Sequence, residues 1–430
     1  MTPRLLLFDD DTARSWVPLS LTRPAGELLF GAYLLRERAE MVWGAPCSGY
    51  LGCAELRGFE ESDSPPVLEG SLPPNPDHST LVVLSRALIA GGPLDDLPNP
   101  EARAGAGDGA AVTLAVGNRV VGWFLPPGAE GPTPEALARP DEAPRKGRTI
   151  TLPGRLLDRP WDLVSENGAR LTRDLRAWAG GAAGSKMAVA DTAAGAGRGV
   201  ERLGDHPLLL GDGVELDPGV VLDLRKGPVA LAHGVRIGSF TLLEGPAYIG
   251  PDSRLLGGLV SGVSTGPGCR LRGELADSVV LGYTNKAHDG HIGHAYLGRW
   301  VNLGAMTTNS DLKNNYGNVR VWTPRGEEDS GLMKVGCFLG DHVKTAIGTL
   351  IGTGAVVGAG SNLFGDEVVG RYTPPFSWGG GPGSGTHDLE RFLATARTAM
   401  GRRHVELSSG MESVLRRAWE LGIERGGGAR

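Results

Sequence analysis

The sequence predicts a mixed α/β domain, then a parallel β-helix of hexapeptide repeats, and finally two helices at the C-terminus. The first observation is a six-residue repeat between about Leu208 and Arg371, in which an apolar residue recurs and glycine often follows it. The repeat is clearest at Ile237, Leu243, Ile249 and Leu255, and again at Leu339, Thr345, Ile351, Val357 and Leu363. Second, glycine accounts for 68 of the 430 residues, which indicates many tight turns. Third, residues 1 to about 165 mix short apolar runs with helical spacing, which is typical of an α/β domain.

The first predicted domain, with a linker, covers residues 1–200. Its predicted elements are a strand at Arg4–Phe8 that ends in three aspartates, a helix within Gly26–Met41, a buried strand within Thr80–Ala90, two strands within Ala111–Leu125 and a helix at Gly168–Trp178. Gly117 and Asn118 separate the two strands, and such a pair is typical of a hairpin turn. Segments rich in proline and polar residues, Glu61–His78 and Pro126–Arg148, indicate loops. The Gly/Ala-rich stretch Ala179–Gly199 indicates the boundary to the next domain.

The second predicted domain is the β-helix, over residues 205–380. Each hexad supplies one short strand and one turn, and three hexads make one triangular coil with its apolar residues inside. Known helices of this hexapeptide type are left-handed, although the spacing itself does not give the hand. The repeat is interrupted between Thr307 and Val335 by a polar segment, which predicts a loop that projects from the solenoid and is suited to binding.

The C-terminal tail, residues 385–424, is predicted to be helical. Apolar residues at helical spacing indicate the first helix, at Leu389, Phe392, Leu393, Ala396 and Met400. Ser409 and Glu412 fit a capping box that opens the second helix. We expect both helices to cover the open end of the solenoid, because an uncovered strand edge invites pairing with other chains.

Bulk composition limits the classes of protein to consider. The net charge of −6 argues against a nucleic-acid partner. The four cysteines form no CxxC pair, so reduced thiols are expected rather than a disulfide framework. No apolar run approaches the roughly 18 residues of a membrane span, and no signal peptide is evident. We therefore expect a cytoplasmic protein with no membrane partner.

Three histidines, His288, His291 and His294, follow one another at a spacing of three within the solenoid. One interpretation is a general base, for which His288 is the first choice. A second is a set of exposed polar residues on a solenoid face. A third is a zinc site, which is disfavoured because no cysteine or carboxylate joins the histidines at a familiar metal spacing.

The block NKAHDGHIGHAYLGRWVNLGA, residues 285–305, resembles a known family. It is similar to the acetyltransferase domain of the bifunctional N-acetylglucosamine-1-phosphate uridyltransferase/glucosamine-1-phosphate acetyltransferase family, and most of all to the divergent form with a shortened N-terminal half. Aligning the apolar-Gly pairs without gaps places the family's catalytic histidine on His288, a family tyrosine on His291 and a coil asparagine on Asn302. After a short insertion, Asn315 and Tyr316 match an Asn-Tyr pair, and Arg320 lies near a family lysine.

This resemblance implies acetyl transfer from acetyl-CoA to the amine of a sugar phosphate. His288 would accept the proton as the amine attacks the thioester, while Asn302, Asn315 and backbone N–H groups would bind the sugar or the developing oxyanion. Tyr316, His291, Lys286 and Arg320 are the further candidate substrate-binding residues, and CoA would lie between adjacent subunits of a homotrimer. The family's phosphate-holding lysine has no counterpart, because Ala276 stands at its position; Lys286 or Arg270 could substitute.

The N-terminal segments Leu19–Pro24 and Pro160–Leu163 resemble the shortened nucleotidyltransferase-like domain of the divergent form. The Gly-rich phosphate loop of the full-length family is absent. The resemblance implies a nucleotidyl site in which Arg23 binds phosphate and Asp9, Asp10 and Asp11 could hold Mg²⁺, with Asp10 as the first choice of metal ligand. The alternatives are an ion-paired or solvated Arg23 and a strand-end turn that is simply rich in aspartate.

The sequence therefore predicts an enzyme of sugar-nucleotide biosynthesis. It would acetylate a hexosamine 1-phosphate and, if the first domain is active, join the product to UTP to give UDP-N-acetylglucosamine or a related sugar nucleotide. Two alternatives stay open. One is an acyltransferase whose N-terminal domain only binds a sugar nucleotide or supports the oligomer. The other is a non-catalytic solenoid that serves in assembly.

Overall fold

The N-terminal domain is built on a six-stranded mixed sheet. The computed structural model describes residues 3–70, 72, 74–90, 111–145, 147–181, 188–189, 198–381 and 383–427. The sheet order is Cys47–Leu51, Arg4–Phe8, Thr80–Leu84, Arg119–Leu125, Val112–Val116 and Thr149–Thr151. The first three strands are parallel, and Arg119–Leu125 runs antiparallel to both of its neighbours. The predicted hairpin at Gly117–Asn118 is confirmed.

The N-terminal domain contains five helices within the described residues. They are α1 (Asp11–Arg14), α2 (Leu35–Trp43), α3 (Pro134–Ala138), α4 (Asp162–Ser165) and α5 (Asn167–Ala179). The predicted helix at Gly168–Trp178 is confirmed as α5. The predicted loop Pro126–Arg148 contains one short helix, α3, which Thr133 caps. The predicted strand within Thr80–Ala90 is split, and its second part, Ala87–Ile89, pairs with Gly154–Leu156.

The helix predicted within Gly26–Met41 is wrong over its first half, because α2 begins only at Leu35. A 3₁₀ turn at Ala25–Glu27 and a small hairpin of Leu29–Phe30 with Tyr33–Leu34 precede it. Gly31 at the hairpin turn has a φ of +67°, and its N–H donates to Asn167 Oδ1 at 2.8 Å. The next N–H, of Ala32, donates to Asp174 Oδ2 at 3.0 Å. These contacts from α5 hold the segment in a turn, so tertiary packing overrides its helical spacing.

The second domain is a β-solenoid with three faces, as the repeat predicts, and its strands are parallel except for the terminal strands Ala188–Val189 and Gly385–Thr386, which pair antiparallel. The first face contains Ala188–Val189, Leu208–Leu210, Val229–Leu231, Ala247–Ile249, Ser264–Thr265, Val279–Gly282, Tyr296–Arg299, Phe338–Leu339, Val356–Val357 and Tyr372–Thr373. The second face contains Glu201–Leu203, Val221–Asp223, Thr241–Glu244, Gly258–Ser261, Glu274–Ala276 and His291–Gly293, and further along it the pair Thr308–Asn309 and Leu350–Ile351.

The third face carries the residues of most interest below. Its strands are Glu215–Leu216, Arg236–Ile237, Arg254–Leu255, Arg270–Leu271, Asn285–Lys286, Lys344–Thr345, Asn362–Leu363, Ser377–Trp378 and Gly385–Thr386. Asn302 bridges Asn285 on one side and Lys344 on the other, which makes the face continuous. The apolar hexad positions point inward as predicted, and none of the nine that define the repeat is more than 6% exposed.

The interruption between Thr307 and Val335 forms a projecting hairpin, Arg320–Thr323 with Gly326–Asp329, so the predicted loop is confirmed. Trp322 of this hairpin stacks on Tyr372 of the last first-face strand, with ring centroids 3.5 Å apart. The predicted linker Ala179–Gly199 falls largely on residues 182–187 and 190–197, outside the described residues.

The two domains pack against each other along the first face of the solenoid. Outward-facing apolar side chains of that face, among them Val279, Phe338 and Val356, are buried with Phe30 and Trp161 of the N-terminal domain. The Tyr296 hydroxyl accepts from Leu29 N at 2.8 Å, and Asn167 Nδ2 donates to Ser264 Oγ at 3.0 Å. The first face is therefore a domain interface.

The C-terminal helices are α6 (Leu389–Gly401) and α7 (Ser409–Gly427). The expectation that they cover the open end is wrong for α6, which lies along a flank of the solenoid. Phe392 contacts Phe376 of the last coil, at 5.0 Å between ring centroids, whereas Arg403, just beyond the helix, donates to Gly268 O several coils away at 2.8 Å. The apolar side chains of α6 therefore pack against side chains at a corner of the solenoid, such as Phe376, and not across its open end.

The second helix, α7, packs against the N-terminal domain. Arg417 Nε donates to Glu55 O at 2.8 Å. The cap of α7 differs from the predicted capping box by one residue, because the Ser408 hydroxyl accepts from Met411 N at 3.2 Å. Glu412 instead lies beside Arg416, at 2.7 Å.

Candidate functional site

His288 stands on an exposed corner between the third-face strand Asn285–Lys286 and the second-face strand His291–Gly293. Its imidazole makes no hydrogen bond or ion pair to any residue that the structure describes. The ring is therefore free to meet a molecule from solvent, as a general base must.

Lys286 braces that corner from inside. It is 2% exposed, and its ammonium donates to the carbonyl oxygens of Arg272 at 2.6 Å, Gly290 at 2.7 Å and His288 at 3.2 Å. Burial lowers the pKa of Lys286 to about 8, although nearby Asp289 and Glu274 oppose this. Because all three donor positions are occupied, the side chain fixes the backbone on both sides of His288 and is not presented to a substrate.

The other two histidines belong to a separate cluster on the second face. His294 Nδ1 lies 2.7 Å from Asp311 Oδ2, and the same oxygen lies 3.9 Å from His291 Nε2. His291 Nδ1 also lies 3.3 Å from Glu274 Oε1. The hydrogen bond from His294 is the main reason that the pKa of Asp311 lies below its ordinary value. Among the residues that the structure describes, neither this cluster nor any other group of three or more His, Cys, Asp or Glu side chains is arranged to hold a metal ion.

Asn302 belongs to a ladder of outward-facing side chains on the third face. The backbone register aligns Arg236, Arg254, Arg270, Asn285, Asn302, Lys344 and Asn362 in successive coils. Asn285 Nδ2 donates to Asn302 Oδ1 at 3.1 Å. Asn302 thus takes part in a structural amide pair and is at the same time exposed on the coil next to the His288 corner.

The ladder forms one wall of a cleft of about 610 Å³, and α6 forms the opposite wall. The side chains that matter most for its character are Arg270, Asn285, Asn302 and Lys344 from the solenoid, and Arg402 and Arg403 from the end of α6. This is an amide- and cation-rich surface next to the corner that carries His288.

The predicted residues of the projecting loop lie apart from that corner. Asn315 Oδ1 accepts from Gly317 N at 3.1 Å, and Tyr316 is 67% exposed. Arg320 Nη2 donates to Glu327 O at 2.9 Å across its own hairpin. None of the three side chains contacts His288 within the described chain, so a single subunit does not bring the two groups together.

In the N-terminal domain, Arg23 is engaged in a buried ion network. It is 1% exposed, with Nη2 2.7 Å from Asp341 Oδ2 and Nη1 2.8 Å from Glu61 Oε2. Burial alone would lower the pKa of Arg23, but the two carboxylates outweigh it and raise the pKa. The ion-paired alternative describes this arginine, which links the solenoid to the N-terminal domain.

Of the aspartates assigned to Mg²⁺, Asp10 is engaged through both oxygens, and Asp11 lies 3.1 Å from Arg139. Asp9 is engaged through Oδ2 alone, because its Oδ1 is buried without a hydrogen-bond partner among the described residues. Asp10 Oδ1 accepts from Ala13 N at 2.9 Å, capping α1, and Asp10 Oδ2 lies 2.5 Å from Arg86 Nη2. Asp9 Oδ2 accepts from Ala25 N at 2.9 Å, and burial raises the pKa of Asp9. Mg²⁺ needs several accessible oxygen ligands in near-octahedral geometry. These residues do not fit a magnesium site.

Comparison with known proteins agrees with this architecture. Residues 5–182 match a family model described as sugar nucleotidyl transferase. The bifunctional protein GlmU of Bordetella parapertussis is 31% identical over 169 residues, which cover 38% of this chain and 33% of that protein. GlmU of Xanthomonas campestris is 35% identical over 172 residues, covering 38% of this chain and 32% of that protein.

A protein from Sulfurisphaera tokodaii, a bifunctional sugar-1-phosphate nucleotidylyltransferase/acetyltransferase, is 31% identical over 98 residues, or 23% of this chain and 24% of that protein. The chain spans about a third or less of the length of these relatives. It carries a sugar nucleotidyl transferase domain followed by a β-solenoid, and is a distant homologue of the GlmU proteins. No helix in the described part of the chain is long and apolar enough to cross a membrane.

Several residues of these sites were not predicted from the sequence, namely Asp311, Lys344, Arg402, Arg403 and Arg86. Lys344 had a usable signal, because it occupies the same position in its hexad as Arg270, Asn285 and Asn302. Arg402 and Arg403, which follow α6, had no usable sequence signal, because no local sequence pattern shows that this helix returns along the solenoid.

Proposed function

We propose that this protein transfers the acetyl group of acetyl-CoA to the amine of a hexosamine 1-phosphate. The observation that carries the proposal is His288, an exposed imidazole on a corner that the buried Lys286 holds rigid. Resemblance of the surrounding block to the acetyltransferase family supplies the reaction class. The name of one relative, a bifunctional sugar-1-phosphate nucleotidylyltransferase/acetyltransferase, agrees with it.

The reaction needs little beyond positioning and one base. The neutral amine attacks the thioester carbonyl, a C–N bond forms, and the C–S bond breaks to release CoA. His288 accepts the proton that the amine loses and returns it to the departing thiolate. The Asn302 amide stands one coil away to orient the sugar or the oxyanion. Tyr316, Asn315 and Arg320 would take part only from a neighbouring subunit, which the proposed homotrimer would supply.

The N-terminal domain is proposed to bind a sugar nucleotide without transferring a nucleotidyl group. The engaged Arg23, Asp9 and Asp10 favour this second candidate over a complete bifunctional enzyme, since nucleotidyl transfer from UTP would require accessible phosphate and Mg²⁺ ligands. The Gly-rich phosphate loop of the full-length family is also missing from the sequence.

One assay separates these functions. Purified protein is given acetyl-CoA with glucosamine 1-phosphate, and in a second reaction UTP, Mg²⁺ and N-acetylglucosamine 1-phosphate. Release of free CoA without pyrophosphate is the expected result. Pyrophosphate in the second reaction would establish the bifunctional enzyme. Neither product, across several hexosamine phosphates, would leave the non-catalytic assembly protein as the remaining function.

A further inference from the structure

The cleft between the third face and α6 concentrates positive charge without compensation. Arg270 and Lys344 face it from the solenoid, and Arg402 and Arg403 face it from the end of α6. Among the described residues that line it, none is acidic. Clefts lined by one sign of charge attract counter-ions, so this cleft is suited to an anionic ligand.

Among the described residues, three of the four cations of the cleft lack an ion-pair partner elsewhere, and the fourth, Arg403, donates to the carbonyl oxygen of Gly268 at 2.8 Å. Arg270, Lys344 and Arg402 form no ion pair within the part of the chain that the structure describes, whereas Arg236, farther along the same ladder, lies 3.2 Å from Glu215. Arg254 stands in register with Arg270 on the adjacent coil. Burial and the neighbouring Arg254 both lower the pKa of Arg270, and burial followed by Arg270 lowers that of Arg403. The like charges repel one another, and a bound anion would relieve that repulsion.

The shape of the cleft suits a ligand larger than a single phosphate. Its volume of about 610 Å³ lies within the range of roughly 300–1,000 Å³ typical of small-molecule sites. The side chains of α6 that line the cleft, Ala394, Thr395, Thr398 and Ala399, are small and leave space between the helix and the solenoid. The opposite side of α6, with Phe392 and Leu393, is buried in the apolar core and fixes the helix in place.

Arginines at the end of a helix also have a simpler explanation, because cations stabilise the negative end of the helix dipole. This accounts for Arg402 and Arg403. It does not account for Arg270 and Lys344, which belong to separate solenoid coils, or for Asn285 and Asn302 between them, whose amides are suited to hydrogen bonding of a polar ligand.

We propose that this cleft binds a diphosphate-bearing molecule, with Arg270 and Lys344 on one side of the diphosphate and Arg402 and Arg403 on the other. Two sources carry this chemistry, a nucleoside diphosphate sugar and CoA. If the ligand is a nucleoside diphosphate sugar, the cleft is a site separate from acetyl transfer. If the ligand is CoA, the proposal also rests on the proposed function, and the cleft holds the pyrophosphate of CoA beside the His288 corner.

The test is calorimetric titration of the full chain with inorganic pyrophosphate, UDP-N-acetylglucosamine, CoA and orthophosphate at low and moderate salt. At least one diphosphate should bind, with an affinity that falls as salt increases. Because the N-terminal domain is itself proposed to bind a sugar nucleotide, the source is whichever of the sugar nucleotide and CoA loses affinity in the cleft variants. Orthophosphate that binds as tightly as pyrophosphate would overturn the assignment to a diphosphate, and no binding of any probe would overturn the site.

Variants locate the binding. The double variant R270Q/K344Q should weaken binding by at least tenfold, and R402Q/R403Q provides a second pair from the other wall if the first fails to fold. The matched control is R236Q/R272Q, which removes the same charge from the solenoid outside the cleft. Equal weakening by control and cleft variants would refute the location. His288→Ala should keep diphosphate binding while losing acetyl transfer, so failure of the site and failure of the proposed reaction are distinguishable.

Discussion

The Arg23 network gives the most quantitative prediction. Arg23 donates four hydrogen bonds, two to Asp341 and two to Glu61, and its side chain is 1% exposed. Arg23→Gln leaves Asp341 charged and buried with two donors, Thr22 Oγ1 and Arg299 N, each at 2.7 Å. Glu61 keeps Arg299 at 2.8 Å. Breaking a buried pair in this way costs about 3–5 kcal/mol, so we expect a loss of unfolding free energy in that range.

The assay is urea unfolding at pH 7, followed by tryptophan fluorescence and circular dichroism. The matched control is Arg57→Gln, which removes the same charge from an exposed pair with Glu69 and should cost at most about 1 kcal/mol. The double variant R23Q/D341N should be less destabilised than the sum of its two single variants, because the uncompensated charge is then gone. If R23Q and R57Q differ by less than about 1 kcal/mol, the reasoning is wrong.

The same network makes a pH prediction. Burial alone would raise the pKa of Asp341, but Arg23 and Thr22 outweigh it and hold the pKa below its ordinary value. A carboxylate with a lowered pKa stabilises the fold above the unfolded-state pKa of about 3.9, and this contribution disappears as pH falls through the folded-state pKa. The difference between wild type and R23Q should therefore be largest near neutral pH and shrink below about pH 4. A difference that grows in acid would contradict this.

Three further predictions concern the proposed reaction. His288→Ala should lower kcat for acetyl transfer by roughly 100- to 10,000-fold with an unchanged melting temperature. The control, His78→Ala at an exposed histidine, should leave kcat and the melting temperature unchanged. Equal rates for the two variants would exclude His288 as the base. Lys286→Met should destabilise the protein by about 2–4 kcal/mol and lower kcat, because three carbonyls lose their donor. The control, Lys226→Met at an exposed lysine, should do neither. A stable, fully active K286M would contradict the bracing role. EDTA should leave acetyl transfer unchanged, because no described residues fit a metal site, and loss of CoA release that added Mg²⁺ restores would refute that interpretation.

The solenoid could be predicted because its signal is local and repeated. Each inward position, such as Ile237 or Val357, obeys the same six-residue rule, so errors at single positions do not matter. The insertion before Val335 was predictable for the same reason, as a break in that rule. The predicted helix beginning near Gly26 was wrong because side chains of α5, more than a hundred residues away, turn the chain at Gly31.

The candidate site was only partly predictable. The exposed corner at His288 follows from the repeat together with a family resemblance. The brace from Lys286 is a consequence of strand alternation, which turns that side chain into the coil while Asn285 points out. The engagement of Arg23 was left open by the sequence, because its partner Asp341 lies in the other domain.

The sequence by itself determined the architecture, because hexad spacing and helical spacing are patterns of neighbouring residues. Few other folds are compatible with those patterns. Only the tertiary structure decided which charged side chains form ion pairs and which do not. Arg23 and Asp10 are neutralised by buried partners that no local pattern reveals, whereas Arg270 and Lys344 face Arg402 and Arg403 across a cleft with no acidic side chain among its described lining. Charge compensation depends on distances between groups far apart in the chain, and those distances exist only once the domains and α6 have packed.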